Sequence, residues 1–183
     1  MVKSIKKLRE ICQKPVINRN TWYPRNFARK ISIYFTWLFI FFKIRTFPAV
    51  VLMWLTGILA SYLFTFGSYS YYVSAVLLLQ FWFILDHVDG ELARYWKEVS
   101  AKGIFKDKLN HLLVHPLIFL GIGIGMYRQF NNPTMLILGG FTAYFLLSQD
   151  FINIAKRDSV VALNIKSKIN TKEKITVKNL LFK

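Results

Sequence analysis

The sequence predicts an all-α integral membrane protein: an N-terminal interfacial helix followed by about four transmembrane helices. Three observations carry this. The 183 residues are 54% hydrophobic and only 19% charged, against about 25% charge in an ordinary soluble domain. Aromatic residues make up 17% of the chain, too much apolar material to hide inside one small soluble globule. Phe47 to Leu85 is a run of 39 residues without a charge, and about 20 apolar residues suffice for one crossing.

The elements follow from length and punctuation. Phe27–Ile44 is apolar and aromatic but opens in Arg29-Lys30 and closes at Lys43 and Arg45. It is short for a span, and a helix lying in the interface, with Tyr34 and Trp37 at headgroup level, fits better. The uncharged run holds two spans, at 47–66 and 71–92, with Gly67-Ser68-Tyr69-Ser70 as the turn between them. A third span runs over 104–127 and becomes apolar from Leu109. A fourth runs over 133–154, after the turn Asn131-Asn132-Pro133. No segment alternates as a strand does. Cys12 is the single cysteine, so a disulfide framework is excluded.

The net charge of +16 taken alone suggests a nucleic-acid binder. Its distribution argues otherwise, and no nucleic-acid partner is expected. Residues 1–45 hold 11 basic residues against Glu10, and residues 156–183 hold 8 against Asp158 and Glu173. The 94–108 segment is also basic, whereas the loop at 67–72 has no charge and the next holds only Arg128. Basic segments stay on the cytoplasmic side. Both termini and the 94–108 loop are therefore expected to be cytoplasmic, with membrane lipids as the surroundings. No cleavable signal follows Met1.

The chemistry is concentrated in Asp86-His87-Val88-Asp89-Gly90-Glu91-Leu92-Ala93-Arg94, then Gly103, Asp107 and His111. Carboxylates at the edge of an apolar span are costly and mark function. On a helix, Asp86, Asp89, Gly90, Ala93 and Arg94 fall within an arc of roughly 140°. Small residues there let a ligand or another backbone approach closely. Gly103, Asp107 and His111, at i, i+4 and i+8, form a stripe on the next helix. The short loop makes the two helices antiparallel neighbours, so three carboxylates and an imidazole can converge. Such a group needs a counter-charge, and Mg²⁺ or Mn²⁺ prefers oxygen ligands. A carboxylate-held ion with an arginine nearby is a phosphate site.

The pattern D-x-x-D-G-x-x-A-R-x8-G-x-x-x-D-x-x-x-H, over Asp86–His111, resembles the CDP-alcohol phosphotransferase (CDP-alcohol phosphatidyltransferase) family. That family has Asp at the last position. Seven of eight defined positions match, with a chance on the order of 10⁻⁸ per window at average residue usage. The likeness in layout covers about 27–155. It implies transfer of a phosphoalcohol group, of phosphatidyl type, from a CDP-alcohol donor to an acceptor alcohol, with release of CMP, in phospholipid biosynthesis. It implies divalent metal on Asp86, Asp89 and Asp107, with His111 close to it. Gly90, Ala93 and Gly103 leave room for the nucleotide, and Arg94 has a supporting charge role. His111 stands where the family has its general base. Imidazole is a competent base near neutral pH and can also ligate metal.

The resemblance also implies a division into a basic segment 1–26, an incomplete membrane domain 27–155 and a basic cytoplasmic tail 156–183. Family members usually have six spans; the tail from Ile175 to Lys183 reads as the start of a helix leading to a fifth. The alternative is a non-catalytic or truncated membrane homologue acting as a binding or assembly module. Of the remaining polar residues, His87 and Glu91 lie off the carboxylate face; His87 is expected to face the loop and Glu91 to make a surface ion pair. His115 is expected to hydrogen-bond between helices. The Gly121/Gly123/Gly125 stripe and Gly139-Gly140 are expected to pack helices closely, and offer an interface for a homodimer.

Overall fold

The computed structural model describes residues 4–16 and 21–181. Among them there are six α-helices, two π-helical turns and no strand. Helix α1 (Ile5–Leu8) is capped by Ser4, whose Oγ accepts from the Lys7 amide. It runs into a π turn, Arg9–Gln13, closed by the Lys14 amide on the Arg9 carbonyl at 3.0 Å. A second π turn, Pro24–Ala28, begins at a proline, where a missing N–H costs no helical bond. It leads into α2 (Arg29–Phe41). Lys43 then takes a left-handed conformation, φ 56°, and turns the chain.

Among the described residues, four helices are long and apolar enough to cross a membrane: α3 (Thr46–Phe64), α4 (Tyr69–Trp96), α5 (Ala101–Phe130) and the first part of α6 (Thr134–Leu181). They correspond to the four expected spans, with ends shifted by a few residues. The shifts come from capping. Gly67, at φ 74°, makes the α3–α4 turn. Lys97, left-handed at φ 58°, ends α4 four residues beyond the expected limit, and the Glu98 amide closes on the Ala93 carbonyl at 2.8 Å. Ser100 starts α5 by accepting from the Gly103 amide at 3.2 Å. Asn131 ends α5 in a left-handed conformation, and Asn132 Oδ1 caps α6 at the Thr134 amide.

Residues up to Ala143 form one compact unit. Its core is Ile33, Ile40, Met53, Leu85, Val88 and Val114, with Leu8 brought in from α1. Helix α3 packs against both α4 and α5, and α2 lies against α4. The glycine stripe is used inside the chain. A side chain at Gly121 or Gly125 would strike the carbonyls of Ser61 or Phe64 on α3, and one at Gly123 would meet the Gly139 Cα of α6 at 2.9 Å. Close packing holds as expected; these contacts are within one chain, and a dimer interface at the stripe gains no support from them. Gly140, expected to pack closely as well, instead faces open space: a Cβ there would meet nothing within 4 Å. The second unit, Tyr144–Lys183, is the remainder of α6, helical through Leu181. The expected helix in the tail is thus a continuation of the fourth spanning helix, and Phe182 and Lys183 lie outside the described residues.

Candidate active site

The turn at Lys97–Ser100 sets the last turns of α4 beside the first turns of α5, and the two halves of the motif meet there. His111 Nε2 lies 3.2 Å from Asp86 Oδ1 and 3.5 Å from Asp107 Oδ1. One ligand atom from each of the three residues falls within 4.8 Å of the others. Two carboxylate oxygens and an imidazole nitrogen so placed are a donor set that fits a divalent cation of the Mg²⁺ or Mn²⁺ kind. Asp89 stands one turn beyond Asp86. It is outside this group of three but lines the same cleft.

The cleft has a volume of about 490 Å³. Gly90, Ala93 and Arg94 line it from α4, Gly103 from α5, and Thr46, Phe47 and Val50 from α3. A Cβ at Gly103 would meet only Ser100 Oγ, at 3.5 Å, so the missing side chain there leaves room open to a ligand. Gly90 differs. A Cβ there would lie 3.4 Å from Arg94 Nη1, an ordinary contact, so Gly90 sits directly beside the guanidinium of the motif's own arginine. Arg94 Nε donates to the Cys12 carbonyl, which ties the motif to the N-terminal segment. Lys102, Lys106 and Lys108 also line the cleft, and Lys106 Nζ sits 4.5 Å from the Phe47 ring centroid.

Both nitrogens of the His111 ring have neighbours. Nε2 faces the two carboxylates; Nδ1 faces His115 Nε2 at 3.4 Å. Trp82 of α4 meets both imidazoles edge-on, at 5.3 and 5.6 Å. His115 thus approaches His111 on its own helix and Trp82 on the preceding one. Asn110, between Asp107 and His111, is fully buried, and neither side-chain N nor O has a hydrogen-bond partner among the described residues.

Two readings of the sequence need correction. His87 does not face the loop: its ring is buried, with Nδ1 2.9 Å from the Phe83 carbonyl one turn back on α4. Glu91 is not in a surface ion pair. It is fully buried. It accepts from Gln13 Nε2 at 2.8 Å, Ser32 Oγ at 2.7 Å and Thr36 Oγ1 at 2.6 Å, and pairs with Arg29 Nη1 at 3.6 Å. Burial lowers the Arg29 pKa from its ordinary value, while Glu91 and then Asp86 raise it. A buried arginine therefore pairs with Glu91, and its charge also reaches Asp86. Ser32 and Thr36, at i and i+4 on an apolar helix, were the sequence signal for this contact. At the rim, Arg45 Nη2 pairs with Glu98 at 2.7 Å and Thr46 donates to Glu98 at 2.9 Å.

A protein-family model described as CDP-alcohol phosphatidyltransferase matches residues 37–181, well over half of the chain and all of the motif. No curated protein matches the sequence.

Proposed function

The chain belongs to the CDP-alcohol phosphatidyltransferase family, and from that premise we propose that the cleft between α4 and α5 binds a CDP-alcohol and transfers its phosphoalcohol group to an acceptor alcohol. The family is one of membrane transferases of phospholipid synthesis, and the four apolar helices agree with it. The observation that carries the finer reading is the convergence of Asp86, Asp107 and His111 beside a cleft lined by Asp89, Arg94 and three lysines.

Asp86, Asp89 and Asp107 are the residues to hold Mg²⁺ or Mn²⁺, with His111 beside them. Such an ion, when bound, neutralises the diphosphate and the departing CMP. Arg94, held from behind by Cys12, offers its terminal nitrogens to phosphate oxygens. Gly90, Ala93 and Gly103 keep the nucleotide's approach open. The acceptor oxygen bonds to the phosphorus that carries the alcohol, and the bond from that phosphorus to the bridging oxygen breaks, releasing CMP. The acceptor's proton passes to His111 Nε2, the nitrogen that faces the carboxylates, while His115 faces Nδ1. Positioning and charge stabilisation dominate such transfers. The cleft, with both termini, faces the cytoplasm.

The position of Nε2 between two carboxylates also supports a second role for His111, as a ligand with no part in proton transfer. Substitutions at this residue, described below, separate the two.

The test of the whole reading uses membranes containing the full chain. Labelled CDP-diacylglycerol, or an ether-lipid equivalent, is incubated with a panel of alcohols, and CMP is scored. CMP release that depends on an acceptor and on Mg²⁺ or Mn²⁺ is expected. Release that is equal in chelator, or absent with every acceptor, overturns the reading.

A further inference from the structure

Glu91 occupies an undefined position of the motif, yet no carboxylate in the cleft is held so tightly. Four groups from two N-terminal elements converge on it: Gln13 from the π turn, and Arg29, Ser32 and Thr36 from α2. Glu91, Ser32 and Thr36 are fully buried and Gln13 nearly so. A buried charge is tolerated only when paired and hydrogen-bonded, and Glu91 meets that demand entirely with residues far away in sequence.

Gln13 is the central link. One amide N–H bonds Glu91 and the other bonds the Arg29 carbonyl at 2.6 Å. Its side chain therefore has no freedom, and its backbone follows. The adjacent residue is Cys12, whose carbonyl accepts from Arg94 Nε. The path from Glu91 through Gln13 and Cys12 returns to α4 one turn further on. It fixes the guanidinium from its Nε side and leaves the two terminal nitrogens beside Gly90, at the cleft.

We propose that Glu91 is a positioning residue: through Gln13 and Cys12 it holds Arg94 in the orientation that meets the donor's diphosphate, which makes the segment Arg9–Gln13 part of the active site. This rests on the reading of the cleft as a CDP-alcohol site. A guanidinium recognises phosphate through a planar fork, so its orientation matters as much as its charge. An arginine on a helix facing a wide cleft has many rotamers, and losing them on binding weakens affinity. A preset Arg94 avoids that loss.

Cys12 supplies a reporter independent of catalysis, because it is the single cysteine and is fully buried. The experiment compares the full-length parent, Glu91→Ala, Gln13→Ala, Arg94→Ala and the Gln13→Ala/Arg94→Ala double variant in detergent. Gln13→Ala leaves Glu91 with Ser32, Thr36 and Arg29, so the fold survives even if Glu91→Ala does not. Two quantities are read: the rate of Cys12 alkylation by a maleimide, and the affinity for CDP with Mg²⁺. Alkylation should rise by about tenfold or more in Gln13→Ala as the segment opens locally. CDP affinity should fall about ten- to a hundredfold, the usual loss when an orienting residue is removed. The double variant should bind no worse than Arg94→Ala, because both changes act through one group.

Alkylation as slow as in the parent overturns the proposal whatever the protein binds. Faster alkylation with unchanged CDP affinity, or losses that add in the double variant, overturns the positioning role and leaves a purely structural clasp. A parent that binds no CDP refutes the functional reading, and with it the role assigned to Arg94; the alkylation rates still decide whether the clasp exists.

Discussion

His111 Nε2 reaches across from α5 to lie 3.2 Å from Asp86 Oδ1 on α4. The two residues are 25 positions apart, and only the tight turn at Lys97–Ser100 brings them together. Where the family pattern carries a fourth aspartate, this chain has an imidazole. The same cluster therefore has one negative charge fewer, and a side chain of a type that can ligate metal or accept a proton.

That cluster predicts metal-dependent nucleotide binding. CDP at about 100 times its Kd should stabilise the solubilised protein by about 2.7 kcal/mol, in Mg²⁺ or Mn²⁺ only. Asp86→Asn, Asp89→Asn and Asp107→Asn keep the side-chain shape and should each abolish the thermal shift. Equal protection in chelator would refute a carboxylate-held cation.

Substitutions at His111 separate a base from a ligand. As a base, its loss in His111→Ala should cut turnover by about 10²–10⁴-fold, with CDP affinity much less affected. His111→Asp restores the family residue and should retain substantial activity. His111→Gln keeps size and hydrogen bonding but cannot take the proton. A Gln variant as fast as the parent would assign His111 a positional role alone.

The glycine stripe makes a stability prediction. Gly125→Ala would place a methyl group against the Phe64 carbonyl of α3. Overpacking of that kind costs about 1–3 kcal/mol. Gly140→Ala, which would meet nothing within 4 Å, should stay within about 0.5 kcal/mol of the parent. Thermal melts in one detergent compare the two; equal losses would refute the close α3–α5 contact.

Orientation is testable by labelling. With Cys12 replaced, a cysteine at Ser4 or Ser167 should react only once the cytoplasmic side is opened. A cysteine at Ser70 should react from outside. Reaction of Ser4 from outside would place the motif on the wrong side for a cytoplasmic nucleotide.

The spans were legible because hydrocarbon thickness imposes a minimum length that apolar runs reveal directly. Their ends were less so, since Lys97 in a left-handed conformation terminates α4 where no glycine or proline gives warning. Asp86, Asp107 and His111 were legible because they lie on consecutive helices joined by a short turn. Glu91 was misread for the opposite reason. Its partners Gln13, Ser32 and Thr36 are 55 to 78 positions away, and helical periodicity on α4 says nothing about what α2 brings. The rim contact of Arg45 and Thr46 with Glu98 escaped notice for the same reason. Gly90 lies in the cleft, where the Arg94 guanidinium is its neighbour, a contact that motif spacing alone does not reveal.

The charges lining the cleft have a consequence for timing. Lys102, Lys106 and Lys108 offer positive charge to an arriving diphosphate, while Asp86, Asp89 and Asp107 repel it. Attraction from the lysines alone favours encounter without productive seating, because like charges at close range forbid the final approach. The cation should therefore arrive either before the nucleotide or together with it as an ion pair, and not after it. In initial-rate kinetics, nucleotide without free cation should behave as a weak competitor of the cation–nucleotide complex.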